Sequence, residues 1–247
     1  MKIEGSIALV TGANRGIGKT FVEALLARGA AKVYAAARDV ASLEGLFPQA
    51  AGRVVPLALD VADAAQVEAA AHAAPDVTLL INNAGVAGFS GALSAPNLDA
   101  ARHEMEVNYF GTLNTTRAFR DAPALHGGGA VLNVLSFLSL ATAPTAGTYS
   151  ASKAAQQALT RTLRAELKAR GALVVGVLPV QVDTDMGQAL PEPRLTTQEV
   201  VDDSLDAVEA GIEEVFPGEL SRNVAAQFAA NPQAVQAHLS AKAHPID

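Results

Sequence analysis

A doubly wound α/β fold, with a parallel sheet of about seven strands and helices on both faces, is predicted by three features of this 247-residue chain. Short runs that are aliphatic throughout alternate with helical stretches. A strand buried on both faces reads as a continuous apolar run, and the helices between such runs are the crossovers that a parallel sheet needs. A glycine turn joins the first run to the first helix. No Pro/Gly/Ser-rich linker, internal repeat or low-complexity tract interrupts the pattern, so residues 1–247 read as one domain.

Residues 7–10 (IALV) form the first strand, bounded by Thr11 and Gly12. Residues 18–28 form the first helix, with Phe21, Leu25 and Leu26 on one side and Gly29 closing it. Residues 32–36 and 54–59 are the second and third strands. The helix over 64–74 starts behind Asp63, whose carboxylate suits the free N–H groups of a first turn. Residues 77–82 (VTLLIN) are the fourth strand, 99–119 fit one long helix, and 130–135 (AVLNVL) are the fifth strand. A second long helix spans 149–170 and stops at Gly171. The sixth strand, 173–178, is halted by Pro179. A helix over 197–211 and a short last strand beginning at 214–216 complete the pattern.

Composition narrows the function classes. Half of the residues are hydrophobic and 17% are charged, enough for a sizeable core. No uninterrupted apolar stretch of about 18 residues occurs, so no transmembrane helix is expected. The N-terminal segment lacks the features of a signal peptide. The absence of cysteine excludes disulfides and thiolate metal sites. His72, His103, His126, His238 and His244 share no metal-ligand spacing, so no metal is expected. The net charge is −7, without Lys/Arg clusters, which disfavours nucleic acid and anionic membranes as partners. A cytoplasmic protein is expected.

The turn over residues 11–18 has the spacing G-x-x-x-G-x-G, wider than the commoner G-x-G-x-x-G. Its context carries the meaning. A strand, a glycine turn and a helix N-terminus together make an anion site, because backbone N–H groups approach a pyrophosphate and the helix dipole favours its charge. At the end of the second strand, an acid would bind a ribose 2′-hydroxyl and an arginine would accommodate a 2′-phosphate. Arg38 stands there, twenty residues beyond Gly18, and Arg15 adds a second positive charge from the turn. This favours NADP(H), while the adjacent Asp39 keeps NAD open.

Lys153 follows Tyr149 by four residues, and Ser136 precedes the tyrosine by thirteen. That spacing projects the phenol and the amine from one helix face, about 6 Å apart along the axis. Free tyrosine titrates near pH ~10, and a cation within ~4–6 Å is expected to move it toward neutrality. The pair reads as a proton donor and acceptor for carbonyl/alcohol interconversion. Alone, the same spacing also fits an ordinary solvated helix.

In combination these elements resemble the short-chain dehydrogenase/reductase family over nearly the whole chain, which implies a Rossmann-type fold. Residues 11–18 match the family's cofactor turn, implying contacts from Gly12, Asn14, Arg15, Gly16, Ile17 and Gly18. Asp60 and Val61 match the acid that contacts the adenine ring and its neighbour. Asn82, Asn83, Ala84 and Gly85 match the motif that borders the cofactor after the fourth strand. Asn108, Ser136, Tyr149 and Lys153 match the catalytic set. By resemblance, Ser136 stabilises the developing oxyanion and Tyr149 donates the proton. Lys153 lowers the tyrosine pKa and binds the nicotinamide ribose, and Asn108 holds a relay water. Pro179, Val182 and Thr184 match the segment that holds the carboxamide. Val180 departs from the family's usual glycine, which raises a question about loop geometry and pocket width. Leu135, where another serine is frequent, is a smaller departure.

Residues 185–194, rich in Gly and Pro, are expected to form a mobile lid. Phe89, Phe137, Leu138, Pro179, Val180, Met186 and Leu190 would line the substrate pocket. That apolar set favours a ketone or aldehyde with hydrophobic substituents over a sugar or acyl phosphate. The small residues Ala151, Ala154, Ala155 and Ala158, with Gln156 and Gln157 among them, permit close helix contact. Family members pair these helices, so a homodimer or homotetramer is expected. The leading reading is reversible NADPH-dependent reduction of ketones and aldehydes. The alternatives are a catalytically silent dinucleotide-binding regulator, which would need no proton donor, and an acyl-carrier-protein ketoreductase, for which no basic patch is evident.

Overall fold

The computed structural model describes residues 1–50 and 52–241; His244 lies outside them. The aliphatic runs become β1 (Ile7–Thr11), β2 (Lys32–Ala37), β3 (Val54–Ala58), β4 (Leu79–Asn82), β5 (Ala130–Val134), β6 (Leu173–Val177) and β7 (Glu214–Val215). They pair only in parallel, in the order β3-β2-β1-β4-β5-β6-β7. Pro56, which cannot donate to a ladder, sits in the edge strand β3.

Both sheet faces are covered, which is why the strands are apolar at successive positions. Ala8 and Val10 face a core built with Phe21, Val22 and Leu25 of α1 (Gly16–Ala27) and Val200, Leu205 and Val208 of α6 (Thr197–Ala210). Leu9, between them, joins Leu80, Val131 and Val174 on the opposite face, under Leu163 and Leu167 of α5 (Gly147–Lys168). Val67 and Ala70 of α2 (Ala64–Ala73) close a third cluster beside β2. Each fully buried large aliphatic or aromatic side chain contributes roughly 1.5–3 kcal/mol. Strand order reverses between β1 and β4, and the crevice at the carboxyl ends of these strands is where such sheets bind ligands.

Two regions differ from the expectation. The helix expected over 99–119 is α3 (Asp99–Glu104) and α4 (Thr112–Ala118) joined by a π-helical segment, Met105–Gly111. Thr112, Thr115 and Thr116 each donate a hydroxyl to the carbonyl four residues back, a habit that perturbs helical ladders. Beyond β7 the chain continues as α7 (Gly218–Ala230) and α8 (Pro232–Ser240), which the strand-and-helix pattern did not anticipate. A local signal existed: Asn231 caps α8 by accepting from Ala234 N at 3.0 Å, and Pro232 occupies its first turn. Among the described residues, no helix is long and apolar enough to cross a membrane.

Candidate active site

A cavity of about 1270 Å³ opens at the carboxyl end of the sheet. Every residue expected to contact the dinucleotide or the substrate lines it, from the turn after β1 to the segment after β6. The cradle at its nucleotide end is specific in shape. A Cβ on Gly18 would overlap the carbonyl oxygen of Gly12 and come within 2.6 Å of Asn83 Nδ2. Thr11 Oγ1 accepts from Asn83 N at 2.9 Å and Ala84 N at 3.0 Å, and Asn83 Nδ2 donates back to Thr11 O at 2.9 Å. The turns after β1 and β4 are thereby locked together. Arg15 makes no side-chain cap at the start of α1, so the side chain at that position leaves the first N–H groups of the helix to a ligand. Gly18→Ala should lower stability by about 1–3 kcal/mol, read as a fall in Tm together with loss of dinucleotide binding.

Beside this cradle, Asp39 is engaged locally: its carboxylate accepts from Ala41 N at 3.0 Å and caps a short turn. Arg38 lines the cavity and is exposed, and no ion pair involves it among the described residues. Arg15 pairs with Asp185 at 3.2 Å, joining the glycine turn to the segment after β6. Both partners are about two-thirds exposed (68% and 65%), so this bridge is worth at most about 1 kcal/mol.

Ser136 lies two residues beyond the end of β5, caps the short turn Phe137–Ser139 and accepts from Leu138 N at 3.1 Å. Tyr149 stands in the first turn of α5 and Lys153 one turn later, with Nζ 5.8 Å from the centre of the tyrosine ring. The amine is buried, donating to Val134 O at 2.9 Å and Gln156 Oε1 at 2.8 Å. Burial pulls Lys153 down to about 7. Burial also pushes the Tyr149 phenol up to about 12; the Ser136 hydroxyl acts in the opposite direction, and the charge of Glu104 adds to the rise. This is opposite to the direction expected from a neighbouring ammonium, because desolvation outweighs the attraction of a cation that is itself destabilised in the same dry corner. Glu104 is buried and accepts from Gly88 N at 2.6 Å. Above it, Phe89 adopts the left-handed conformation at φ 48° and sets its ring 6.3 Å from that of Tyr149.

Asn108 is the one member of the expected catalytic set that does not line the cavity. It is fully buried within the π-helical segment. Its amide accepts from Val86 N at 2.9 Å and donates to Val86 O at 2.9 Å and Ser152 Oγ at 2.9 Å. Both of its donor positions are occupied by protein, and they brace the wall behind Lys153.

Val180 occupies ordinary backbone space, without a positive φ, and its N–H donates to Ser221 Oγ at 3.2 Å. The question raised by the missing glycine is thus answered locally: the loop does not need left-handed freedom here. The segment after β6 is organised around Arg194, which donates to Gln188 O at 3.1 Å and Leu190 O at 3.0 Å and pairs with Asp183 and Glu192. The far wall was not foreseen. Val224, Gln227, Asn231, Val235, His238 and Leu239 bring α7, α8 and the link between them onto the cavity. Phe228 packs edge-to-face on Phe137, with centroids 5.7 Å apart. Helix α8 has no buried residue, and Gln236 clamps it to the Thr142 backbone, accepting from N and donating to O at 2.9 Å each. Gln236→Ala should speed amide exchange across residues 232–240 about tenfold while leaving α6 unchanged. Among the described residues, no cluster of His, Cys, Asp or Glu could hold a metal ion.

A family model described as short chain dehydrogenase matches residues 6–195. A solved short chain dehydrogenase from Burkholderia cenocepacia, in complex with NADP, superimposes with a TM-score of 0.90 at 46% identity, covering 97% of this chain and 99% of that one. Galactitol 2-dehydrogenase (L-tagatose-forming) of Cereibacter sphaeroides is 38% identical over 195 residues, 75% of this chain and 74% of that protein. The 3-oxoacyl-[acyl-carrier-protein] reductase of Vibrio cholerae is 32% identical over 206 residues, 79% and 81% of the two chains.

Proposed function

The chain belongs to the short chain dehydrogenase family of oxidoreductases, and from that premise we propose that it reduces ketones and aldehydes to alcohols with NADPH, reversibly, with Tyr149 as the proton donor. The observation that carries this reading is the convergence of Ser136, Tyr149 and Lys153 on the cavity that also contains the glycine cradle. NADPH, when bound, supplies hydride to the carbonyl carbon. Residues 12–18, Asn83, Ala84 and Gly85 would hold its pyrophosphate side, Asp60 and Val61 the adenine, and Pro179, Val182 and Thr184 the carboxamide. The preference for NADPH over NADH is supported by Arg38, which has no ion-pair partner among the described residues, and by the engagement of Asp39 in a local cap. The Burkholderia relative with its bound NADP agrees.

Ser136 donates to the carbonyl oxygen as negative charge grows there. The Tyr149 hydroxyl delivers the proton to the same oxygen. Its elevated pKa keeps it protonated across neutral pH, as an acid must be before the reaction. Lys153 holds the ribose edge and steadies the tyrosine. Asn108 acts behind them as a positioning residue rather than as a group in contact with substrate.

The whole chain then serves as one NADP(H)-binding oxidoreductase domain. Its substrate is a carbonyl compound with apolar substituents, as Phe89, Phe137, Leu138, Val180, Met186 and Leu190 suggest. Ala151, Ala154 and Ala158 lie exposed along α5, which favours a homodimer or homotetramer formed through that helix. The Vibrio relative keeps an acyl-carrier-protein substrate as a second reading. The test is NADPH consumption by the purified protein with aliphatic, aryl, steroid, polyol-derived and β-ketoacyl carbonyl compounds. Turnover of apolar ketones is the expected result. Tight NADPH binding without turnover on any of them would instead indicate a dinucleotide-sensing protein.

A further inference from the structure

We propose that Gln156 is a positioning residue that holds Lys153 in its charged, donating form, as the last link of a hydrogen-bond chain whose direction starts at the π-helical segment. This deepens the role given to Lys153 above and, for its catalytic consequence, rests on that reading.

The direction of the chain follows from donor and acceptor inventories. The carbonyl of Asn108 can only accept, so the Thr112 hydroxyl 2.9 Å away must donate to it. The Thr112 oxygen then has only lone pairs for Gln156, whose Nε2 donates to it at 2.8 Å. That sets the amide orientation and turns Oε1 toward Lys153 Nζ, at 2.8 Å. The second partner of the amine, Val134 O at 2.9 Å, is also a pure acceptor. Two carbonyl-type acceptors converge on one nitrogen, an arrangement that favours ammonium over amine. Gln156 and Asn108 are fully buried, and Thr112 and Lys153 are each only 3% exposed. A glutamine there without partners would be costly, and a hydrophobic residue of the same size would leave the Thr112 hydroxyl and the Lys153 amine each short of a buried partner. The i, i+3 spacing of Lys153 and Gln156 places both side chains on one face of α5.

The chain opposes the burial that pulls Lys153 down to about 7. Tyr149 faces the lysine from the same helix, and Glu104 acts on Tyr149 from α3. The other charged or titratable groups lining the cavity are Arg15, Arg38, Asp39, Asp60, Asp185 and His238.

The test follows the Lys153 ε-carbon by NMR titration in the full protein, with the resonance assigned by its loss in Lys153→Met. In Gln156→Leu the midpoint should fall by about one pH unit, a tenfold weaker proton affinity. In the isosteric Gln156→Glu it should rise, and in Thr112→Val, which frees the amide to turn, it should fall. A purely space-filling role would not give opposite signs for Leu and Glu. An unchanged midpoint in folded Gln156→Leu, or in Thr112→Val, overturns the proposal, and Thr112→Val decides the matter if Gln156→Leu does not fold. The alkaline limb of the kcat profile should move with the midpoint. If the midpoint moves and that limb does not, the hydrogen-bond chain stands and the catalytic role assigned to Lys153 fails.

Discussion

Tyr149→Phe is expected to reduce turnover by on the order of 10²–10⁴-fold, the usual contribution of a positioned general acid. The substitution removes only the hydroxyl. The ring that packs beside Phe89 at 6.3 Å and under the Lys153 amine at 5.8 Å is retained, so the cavity should keep its shape. NADPH affinity, measured by fluorescence or calorimetry, should therefore change little while kcat collapses. Near-full reductase activity in this variant would show that another group delivers the proton. The elevated pKa adds a sign. With the phenol at about 12, the reductive direction finds its acid protonated at any neutral pH, whereas the oxidative direction needs the phenolate and should accelerate as pH rises.

Arg38→Asp is expected to reverse the cofactor preference. A charge-assisted hydrogen bond to a phosphate is worth about 1.5–3 kcal/mol, so its loss alone should lower kcat/KM with NADPH roughly tenfold to a hundredfold. The new carboxylate would also repel the 2′-phosphate, and it could accept from the free 2′-hydroxyl of NADH. Arg15 is the nearest candidate to compensate, but it is already paired with Asp185 at 3.2 Å across the cleft. The measurement is the ratio of kcat/KM for the two cofactors at fixed ionic strength. An unchanged ratio would show that the 2′-position is read elsewhere, with Arg15 the first residue to examine.

The IALV run, the glycines at 12, 16 and 18 and the Tyr149/Lys153 spacing each encode local geometry; the run is the core strand β1, and the cavity gathers the glycines and the Tyr149/Lys153 pair. The wall formed by α7 and α8 was missed. The aliphatic alternation ends at β7, and α8 buries nothing that would leave a strong apolar period. The Asn231-Pro232 start signal was present and was the readable clue. The position of Asn108 behind the cavity, not in it, could not be read from spacing, because a π-helical segment shifts which side chains face inward.

The fold class, the strand–turn–helix cradle and the identity of the groups brought to the cleft are written in the order of the residues. These depend on apolar periodicity, turn chemistry and short spacings, which are local properties of the chain. The electrostatic state of those groups is fixed by packing in the folded chain. Burial raised the Tyr149 phenol and lowered the Lys153 amine, β5 and α5 turned acceptors onto that amine, and Thr112 of α4 fixed the orientation of the α5 one. Desolvation and hydrogen-bond direction are set by what packs around a group, and here the Gln156 amide on the same helix is oriented by Thr112, 44 residues away, while Val134 reaches the amine from β5.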